Sequence, residues 1–553
     1  KITEYEQWTE SSEGARGGTI KYYKGLGTSK AEDMKNYFRD MDTHMLSFDT
    51  IRPVDHDLVD LAFNKKKADD RKEWLRQFVP GTYLDHRIRN IPISDFINKE
   101  LILFSMADNI RSIPSVVDGL KPGQRKVLFG CFKRNLKTEI KVQQLQGYVS
   151  EHTAYHHGDQ SLVMTIVGLA QDYCGSNNVN LLLPNGQFGT RSMGGKDAAS
   201  ARYIFTAVPR ITRLMFHPKD DDLLNYLDDD GQSIEPEWYV PVVPHVLLNG
   251  AEGIGTGWST FVPNYNPRDV VENLRRRMAG EEYVPMTPWY RGFVGTIEHS
   301  AADRFRVLGN ATQLDERTWE ITELPVRVWT SSYKEWLEER VVGSDKTPST
   351  LREYKEYHTD TTVHFVVELN SRGEEEIARV GPEAFFKLST VISTGNMVLF
   401  NPEGKIKKYA SPLEILDDFY FLRLGFYQRR KEHLVDQLKL VYDRLSNQAR
   451  FVSMIISKEL SVSNKKKADI MDELRQLNFQ AFPKVEAKTK SVADEAVEDP
   501  DELDEPTGTT TDFDYLLSMS IYSLTRERVE RLLKERDETE TQLKILLGRS
   551  PQN

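Results

Sequence analysis

The chain has 553 residues, with 73 Lys and Arg against 84 Asp and Glu, and 2 cysteines. Its length accommodates roughly three or four domains with ample core. Cys131 and Cys174 supply neither a disulfide framework nor a zinc set, which points to a reducing compartment. The longest clean apolar run, Leu162 to Ala170, is too short to cross a bilayer. The sequence opens on Lys1 in a polar stretch without a signal peptide, so it reads as a piece of a longer, soluble intracellular protein.

A net charge of -11 argues against a nucleic-acid partner, but its distribution points the other way. Residues 491–514 carry ten acids and no Lys or Arg, leaving the remainder at -1. Residues 101–210 hold twelve Lys and Arg against seven acids.

In chain order, residues 1–53 read as the end of an α/β domain: a strand Thr19 to Tyr23, a turn Lys24-Gly25-Leu26-Gly27, then a helix from Ser29. A charged helical connector follows, Phe63 to Phe78, whose Lys65-Lys66-Lys67 reads as a solvated face. Gly123 to Asn135 is a basic amphipathic helix. A second helix, Asp159 to Tyr173, stacks Leu162, Ile166 and Leu169 at helical spacing. With a hairpin expected over Val179 to Phe188, this order suggests a winged helix-turn-helix. Residues 243 to 398 read as mixed α/β. Beyond them, Leu434, Leu438, Val441 and Leu445 form a coiled-coil seam. A second helix carries Val529, Leu533, Leu543 and Leu547, with Arg536 and Glu540 interrupting it. An antiparallel pair with a small globular cap is the expected arrangement, and the acidic stretch 484–511 has the composition of a disordered loop.

The chemistry concentrates around Arg202-Tyr203. A phenol ionises near ~10 and is a poor nucleophile at neutral pH. An adjacent guanidinium stabilises the phenolate and neutralises a phosphate under attack. A surface charge beside a half-buried ring is the plain alternative. The glycines of Gly189 to Lys196 nearly spell a phosphate loop, but Asp197 follows the lysine where Ser or Thr is required. Gly250 to Gly257 resembles a dinucleotide turn, which Pro263 and Pro267 rule out. His156 and His157 precede a helix N-terminus, where phosphate contact is favoured over a structural role. They lack nearby ligands at zinc spacing. Ile254, between glycines, reads on residue chemistry as a buried turn residue, with a wedge between base pairs as the alternative.

Taken together, these stretches resemble the breakage-reunion region of the eukaryotic type IIA DNA topoisomerases. The resemblance rests on Tyr23-Lys24-Gly25-Leu26-Gly27-Thr28, Ile91-Pro92, Asp108-Asn109-Ile110-Arg111-Ser112-Ile113-Pro114 and Asp118-Gly119-Leu120-Lys121-Pro122-Gly123-Gln124-Arg125-Lys126. It continues in Ala154-Tyr155-His156-His157-Gly158, Gly194-Gly195-Lys196-Asp197-Ala198-Ala199 and the run Ala251 to Thr260. The implied architecture is multidomain α+β. Residues 1–53 would be the remnant of a TOPRIM-type metal-binding domain, and 54–103 a helical linker. Residues 104–242 would be a winged-helix domain with the active-site tyrosine, 243–398 a tower domain, and 399–553 a coiled coil and dimerising C-gate.

The resemblance makes Tyr203 the nucleophile, Arg202 its neighbouring arginine and His156 the histidine near the scissile phosphate. Ile254 becomes the residue that intercalates and bends the duplex, displacing the buried-turn reading. Arg111 and Lys121 match basic positions at the cleavage site or backbone, and Arg125, Lys126, His157 and Lys196 are added as DNA-binding positions. The implied reaction is transesterification giving a 5′-phosphotyrosyl link, followed by strand passage and religation, in a nuclear homodimer acting on double-stranded DNA. Mg²⁺ and ATP serve the complete enzyme, but the metal-ligand motifs are not found in residues 1–53 and the ATPase domain is absent. The chain alone is therefore expected to bind DNA and cleave poorly. An architectural DNA-bending protein is the competing class.

Overall fold

The computed structural model describes residues 29–85, 88–155, 157–229, 231–344, 348–462, 465–482, 513–519 and 525–552. The expected strand at residues 19–23, the turn after it, His156 and the acidic stretch 484–511 lie outside the described residues.

Helix α1 (Pro53–Phe63) starts where Asp55 accepts the Arg52 N–H at 2.8 Å. Helix α2 (Ala68–Arg76) turns Trp74 and Leu75 inward against Ile97 and Ile102, and α3 (Ile102–Ser112) leads into the main core. There α4 (Pro122–Lys133), α5 (Val142–His152) and α6 (Asp159–Ala170) pack on one another. Pro122 sits in the first turn of α4, where its missing N–H costs nothing, and Gln124 accepts the Lys121 N–H at 2.9 Å. The short strand β1 (Ile140–Lys141) pairs antiparallel with β2 (Phe205–Thr206).

The hairpin expected over Val179 to Phe188 does not form. Leu181 and Leu182 are buried, and the segment laces onto the chain beyond Tyr203 through Leu183 N–H to Ala207 O at 2.9 Å and an Asn185–Phe205 bridge. A non-local strand wins the backbone that local turn residues suggested would fold on itself.

The core formed by these helices also takes in Val246–Leu248, Tyr265, Val270, Met397, Leu399, Ile415 and Phe426. It runs across the boundaries expected at residues 243 and 399. The hairpin β3 (Ala251–Ile254) and β4 (Ser259–Val262) rises from it. Between the two halves of this core lies a separate sheet body. A 3-stranded sheet contains Thr296–Ala301, Arg304–Leu308 and Ser389–Ser393, and a 4-stranded sheet contains Asn310–Gln313, β5 (Thr318–Glu323), Leu351–Glu356 and Phe365–Leu369. Helix α7 (Thr330–Val342) packs beside the second sheet, with Tyr333 and Leu337 in its core.

Helix α8 (Pro412–Ile456) runs 45 residues, about 68 Å at the α-helical rise. It lies antiparallel to α9 (Arg526–Gly548): Lys431 reaches the carbonyls of Leu547 and Arg549, while Ala449 and Val452 share a core with Leu532. The seam differs in detail from expectation. Val441 is 44% exposed while Val435 is buried, and Leu547 is 51% exposed. On α9 the residues turned at least partly inward include Val529, Leu532, Leu533, Arg536, Thr539, Leu543 and Leu546, so the seam keeps the expected Val529, Leu533 and Leu543 and crosses polar residues. Thr539 tolerates burial because its hydroxyl donates to Glu535 O at 2.8 Å. No described helix is long and apolar enough to cross a membrane.

Candidate active site

The loop before Tyr203 is a platform tied from three sides. Asp197 accepts the Thr190 N–H at 2.9 Å, the Thr190 hydroxyl at 2.7 Å and the Gln187 amide at 3.1 Å. This carboxylate occupies the interior of a loop that resembled a phosphate cradle. The glycines answer to space: a Cβ on Gly189, at φ +101, would stand 2.5 Å from Gly195 Cα, and one on Gly194 would meet the Trp329 indole at 2.3 Å. Buried Arg191 pairs with buried Glu323 of β5 at 2.6 Å. Ser192 O accepts both the N–H and the hydroxyl of Ser331 on α7, at 3.0 and 2.8 Å. The sheet body thus forms one wall of the loop.

Tyr203 leaves this platform outward. Its N–H closes a turn on Ser200 O at 2.9 Å, and the backbone is clamped on both sides: Ala201 O accepts from Gln143 N–H at 3.2 Å, and Ile204 O from Val142 N–H at 3.0 Å. Ile204 is buried, yet the Tyr203 side chain is 68% exposed. The Arg202 guanidinium lies 4.9 Å from the Tyr203 ring centroid. A fixed backbone with a projecting phenol beside a cation suits attack on a substrate too large to enter a pocket.

The β3–β4 hairpin is held equally firmly. A Cβ on Gly253 would lie 1.9 Å from Ser112 O, so the strand rests directly on the end of α3. Asn109 donates to Thr256 O at 3.1 Å, and the Thr256 hydroxyl to Asp108 at 3.0 Å. Between these anchors Ile254 is 81% exposed, which overturns the buried-turn reading. The Lys121 Nζ comes within 3.6 Å of that Gly253 Cβ position, and burial lowers its pKa while Glu252 opposes the shift. Arg111 is exposed on α3, 3.7 Å from Asp108. Lys196 is exposed on the tyrosine loop, and His157 is exposed just ahead of the Gly158 cap of α6.

Arg125 and Lys126 are turned inward, which corrects their expected place among the DNA-facing cations. Arg125 donates to both oxygens of Asp118 at 2.7 and 3.1 Å and to Leu120 O at 3.0 Å. Lys126 donates to Thr153 O at 2.6 Å and pairs with Glu235 at 2.8 Å. A charge in the interior must be paired, and these partners use the donors a phosphate would need.

Sequence reading missed Asp118, which also accepts the N–H groups of Leu120 and Tyr239 at 3.0 Å each. It missed His245 as well. The His245 ring contacts Asp118 O through Nδ1 and the Asn249 amide through Nε2, at 3.0 Å each, and burial drops its pKa to about 4. Because Asn249 Nδ2 donates, the geometry assigns the proton to Nδ1. The folded pKa lies below the free value, so the unfolded chain binds more protons in between. The stabilisation from a neutral His245 is full above pH ~6.5 and is lost as pH falls through about 4, about 3 kcal/mol in all. Hydrogen-exchange protection around Val246–Leu248, corrected for the intrinsic pH dependence of exchange, should fall between pH 7 and pH 4.5, and His245→Gln should flatten that slope; an unchanged slope refutes the assignment.

Among the described residues no group of three or more His, Cys, Asp or Glu could hold a metal ion. These residues do not fit a Mg²⁺ site.

Residues 111–553 match the family model for the A-subunit of DNA gyrase/topoisomerase IV, and residues 1–109 match the C-terminal associated domain of TOPRIM. The chain is 50% identical to DNA topoisomerase 2 of Candida albicans over 99% of its length, and 52% identical to that of Penicillium chrysogenum over 100%. It is 48% identical to DNA topoisomerase 2-beta of Mus musculus over 100% of its length. It spans 40%, 35% and 35% of those three relatives. The crystal structure of the Plasmodium falciparum topoisomerase II DNA-binding, cleavage and re-ligation domain superposes with a TM-score of 0.82 at 44% identity, covering 100% of this chain and 75% of that one. The chain therefore belongs to the DNA gyrase/topoisomerase IV A-subunit family.

Proposed function

We propose that this chain is the breakage-reunion part of a type IIA DNA topoisomerase, with Tyr203 as its nucleophile. The observation that carries the reading is a phenol 68% exposed on a backbone clamped on either side, at Ala201 and Ile204. The Tyr203 oxygen attacks a backbone phosphorus, the bond to the 3′ oxygen breaks, and that oxygen leaves as a 3′-hydroxyl. A 5′-phosphotyrosyl ester remains, conserving the phosphodiester so that religation is the same exchange reversed. Arg202 neutralises charge on the phosphate; Arg111, Lys121, His157 and Lys196 hold the backbone. His156 serves beside the scissile phosphate.

In this reading residues 104–242 are a winged-helix domain, the sheet body is the tower, and α8 with α9 forms the coiled coil leading to a dimerising C-gate. Two copies place two tyrosines on opposite strands of one duplex, and a second duplex passes. Mg²⁺ and ATP act through parts of the complete enzyme, which works in the nucleus. The test is denaturant trapping of the chain on duplex DNA with the upstream metal-binding region restored, then nuclease digestion and mass spectrometry. A nucleotide phosphate on Tyr203 supports the reading, and its absence leaves the chain as an architectural DNA-binding protein.

Ile254 bends the duplex by entering a base step, at an unstacking cost of a few kcal/mol. Ile254→Ala should lower the fraction of bent DNA, read by energy transfer between duplex ends, while binding falls only a few-fold. Unchanged bending removes Ile254 from the mechanism.

A further inference from the structure

A cavity of about 370 Å³ opens where α8 leaves the core, far along the chain from Tyr203. Leu274, Phe419, Leu424, Leu434 and Leu546 supply apolar wall, and the Tyr427 ring supplies another side. Its volume lies in the range of small-molecule sites, about 300–1,000 Å³.

The polar element of this wall is unusual. Arg423 is 3% exposed, and its guanidinium carbon lies 4.1 Å from the Tyr427 ring centroid. Nη1 donates to Asp220 at 2.7 Å and to Val240 O at 2.9 Å. Nε and Nη2 are buried with no hydrogen-bond partner among the described residues. Asp220 cannot supply them with a full counter-charge, because Arg430 also claims both its oxygens. One carboxylate thus faces two guanidiniums. Lys431, also in the wall, is spent on the carbonyls of Leu547 and Arg549. A buried cation with open donors beside apolar surface is matched by an anion that carries its own apolar body.

We propose that this cavity is a binding site for a small organic anion, a carboxylate or sulfonate on a ring-sized apolar body. The acidic group takes the free Nε and Nη2 of Arg423, and the body lies against Leu424, Phe419 and Leu434. An inorganic anion would leave the apolar walls uncovered. The occupant bridges the helix Pro267–Met278, the root of α8 and the end of α9, so it joins the helix pair to the core. This site stands independently of the cleavage reading.

The probe is anilinonaphthalene sulfonate, titrated by fluorescence into the full chain, with phenylnaphthylamine as the analogue lacking the sulfonate. One saturable site per chain is expected, with the uncharged analogue at least tenfold weaker. Arg423→Lys keeps an ammonium for Asp220 but removes the free fork, and should weaken the sulfonate at least tenfold. Leu424→Trp fills the cavity with the charges intact and should do the same, which keeps the test informative if Arg423→Lys fails to fold. No saturable site, equal binding of the two dyes, or full affinity retained in a folded form of either variant overturns the proposal.

Discussion

Tyr203→Phe should abolish covalent capture of DNA while leaving duplex binding within about twofold. Loss of a nucleophile costs on the order of 10⁴-fold or more in rate, because no neighbouring group inherits the attack. Phe keeps the ring that Arg202 lies against at 4.9 Å, so the local surface changes by a single oxygen. Arg202→Ala tests a different quantity. It leaves the phenol and removes the charge beside it, so cleavage should fall by about 10²–10³-fold, the range for losing one group that stabilises charge in the transition state. Both variants are read by denaturant trapping with the upstream region restored. Adducts that persist in Tyr203→Phe would move the nucleophile elsewhere, and an Arg202→Ala variant with unchanged cleavage would reduce Arg202 to a packing role.

The largest effect on stability belongs to Arg125. Removing it strands Asp118, whose side chain is 0% exposed, and breaking one side of a buried pair costs about 3–5 kcal/mol. Arg125→Ala should accelerate hydrogen exchange in α4 and around Tyr239, the segments that Asp118 joins. Local exchange is the right readout because a chain with several cores need not unfold in one step. Replacing the pair by Asp118→Leu with Arg125→Met should recover part of the loss. Full recovery is not expected, since the N–H groups of Leu120 and Tyr239 would then lack their acceptor. Unchanged exchange in Arg125→Ala would return that residue to the DNA-facing set.

The parts of the fold legible in the sequence were those where one periodicity decides the structure. Leu162, Ile166 and Leu169 marked α6, and all three are buried. Its end was misplaced, at Tyr173 instead of Ala170, because the Asn177 side chain takes the carbonyls of Gly168 and Gln171 at 2.7 and 2.8 Å. That stop comes from a side chain six residues beyond Gln171, outside the helical periodicity that marked the element. The α9 seam shows the same limit. Thr539 is buried because its hydroxyl is satisfied within the helix, so a search for leucines passes over it.

At the candidate site, Arg202 and Tyr203 were legible as a candidate pair because the chemistry proposed for them is carried by adjacent residues. The supports were not, since Glu323 is 132 positions from Arg191. Ile254 was legible as a choice between two roles, which depended on whether Gly253 stacks on Ser112.

The three ties that seat the tyrosine loop, Arg191 to Glu323, Ser192 to Ser331 and Gly194 to Trp329, also set an order of assembly. All three partners follow Tyr203 in the chain, by 120 to 128 residues. During synthesis Tyr203 emerges well before its seat exists, at about 5–20 residues per second a delay of several seconds or more. Nascent chains stopped before β5 should therefore be nicked by protease in the 189–196 loop, and chains stopped beyond α7 should resist.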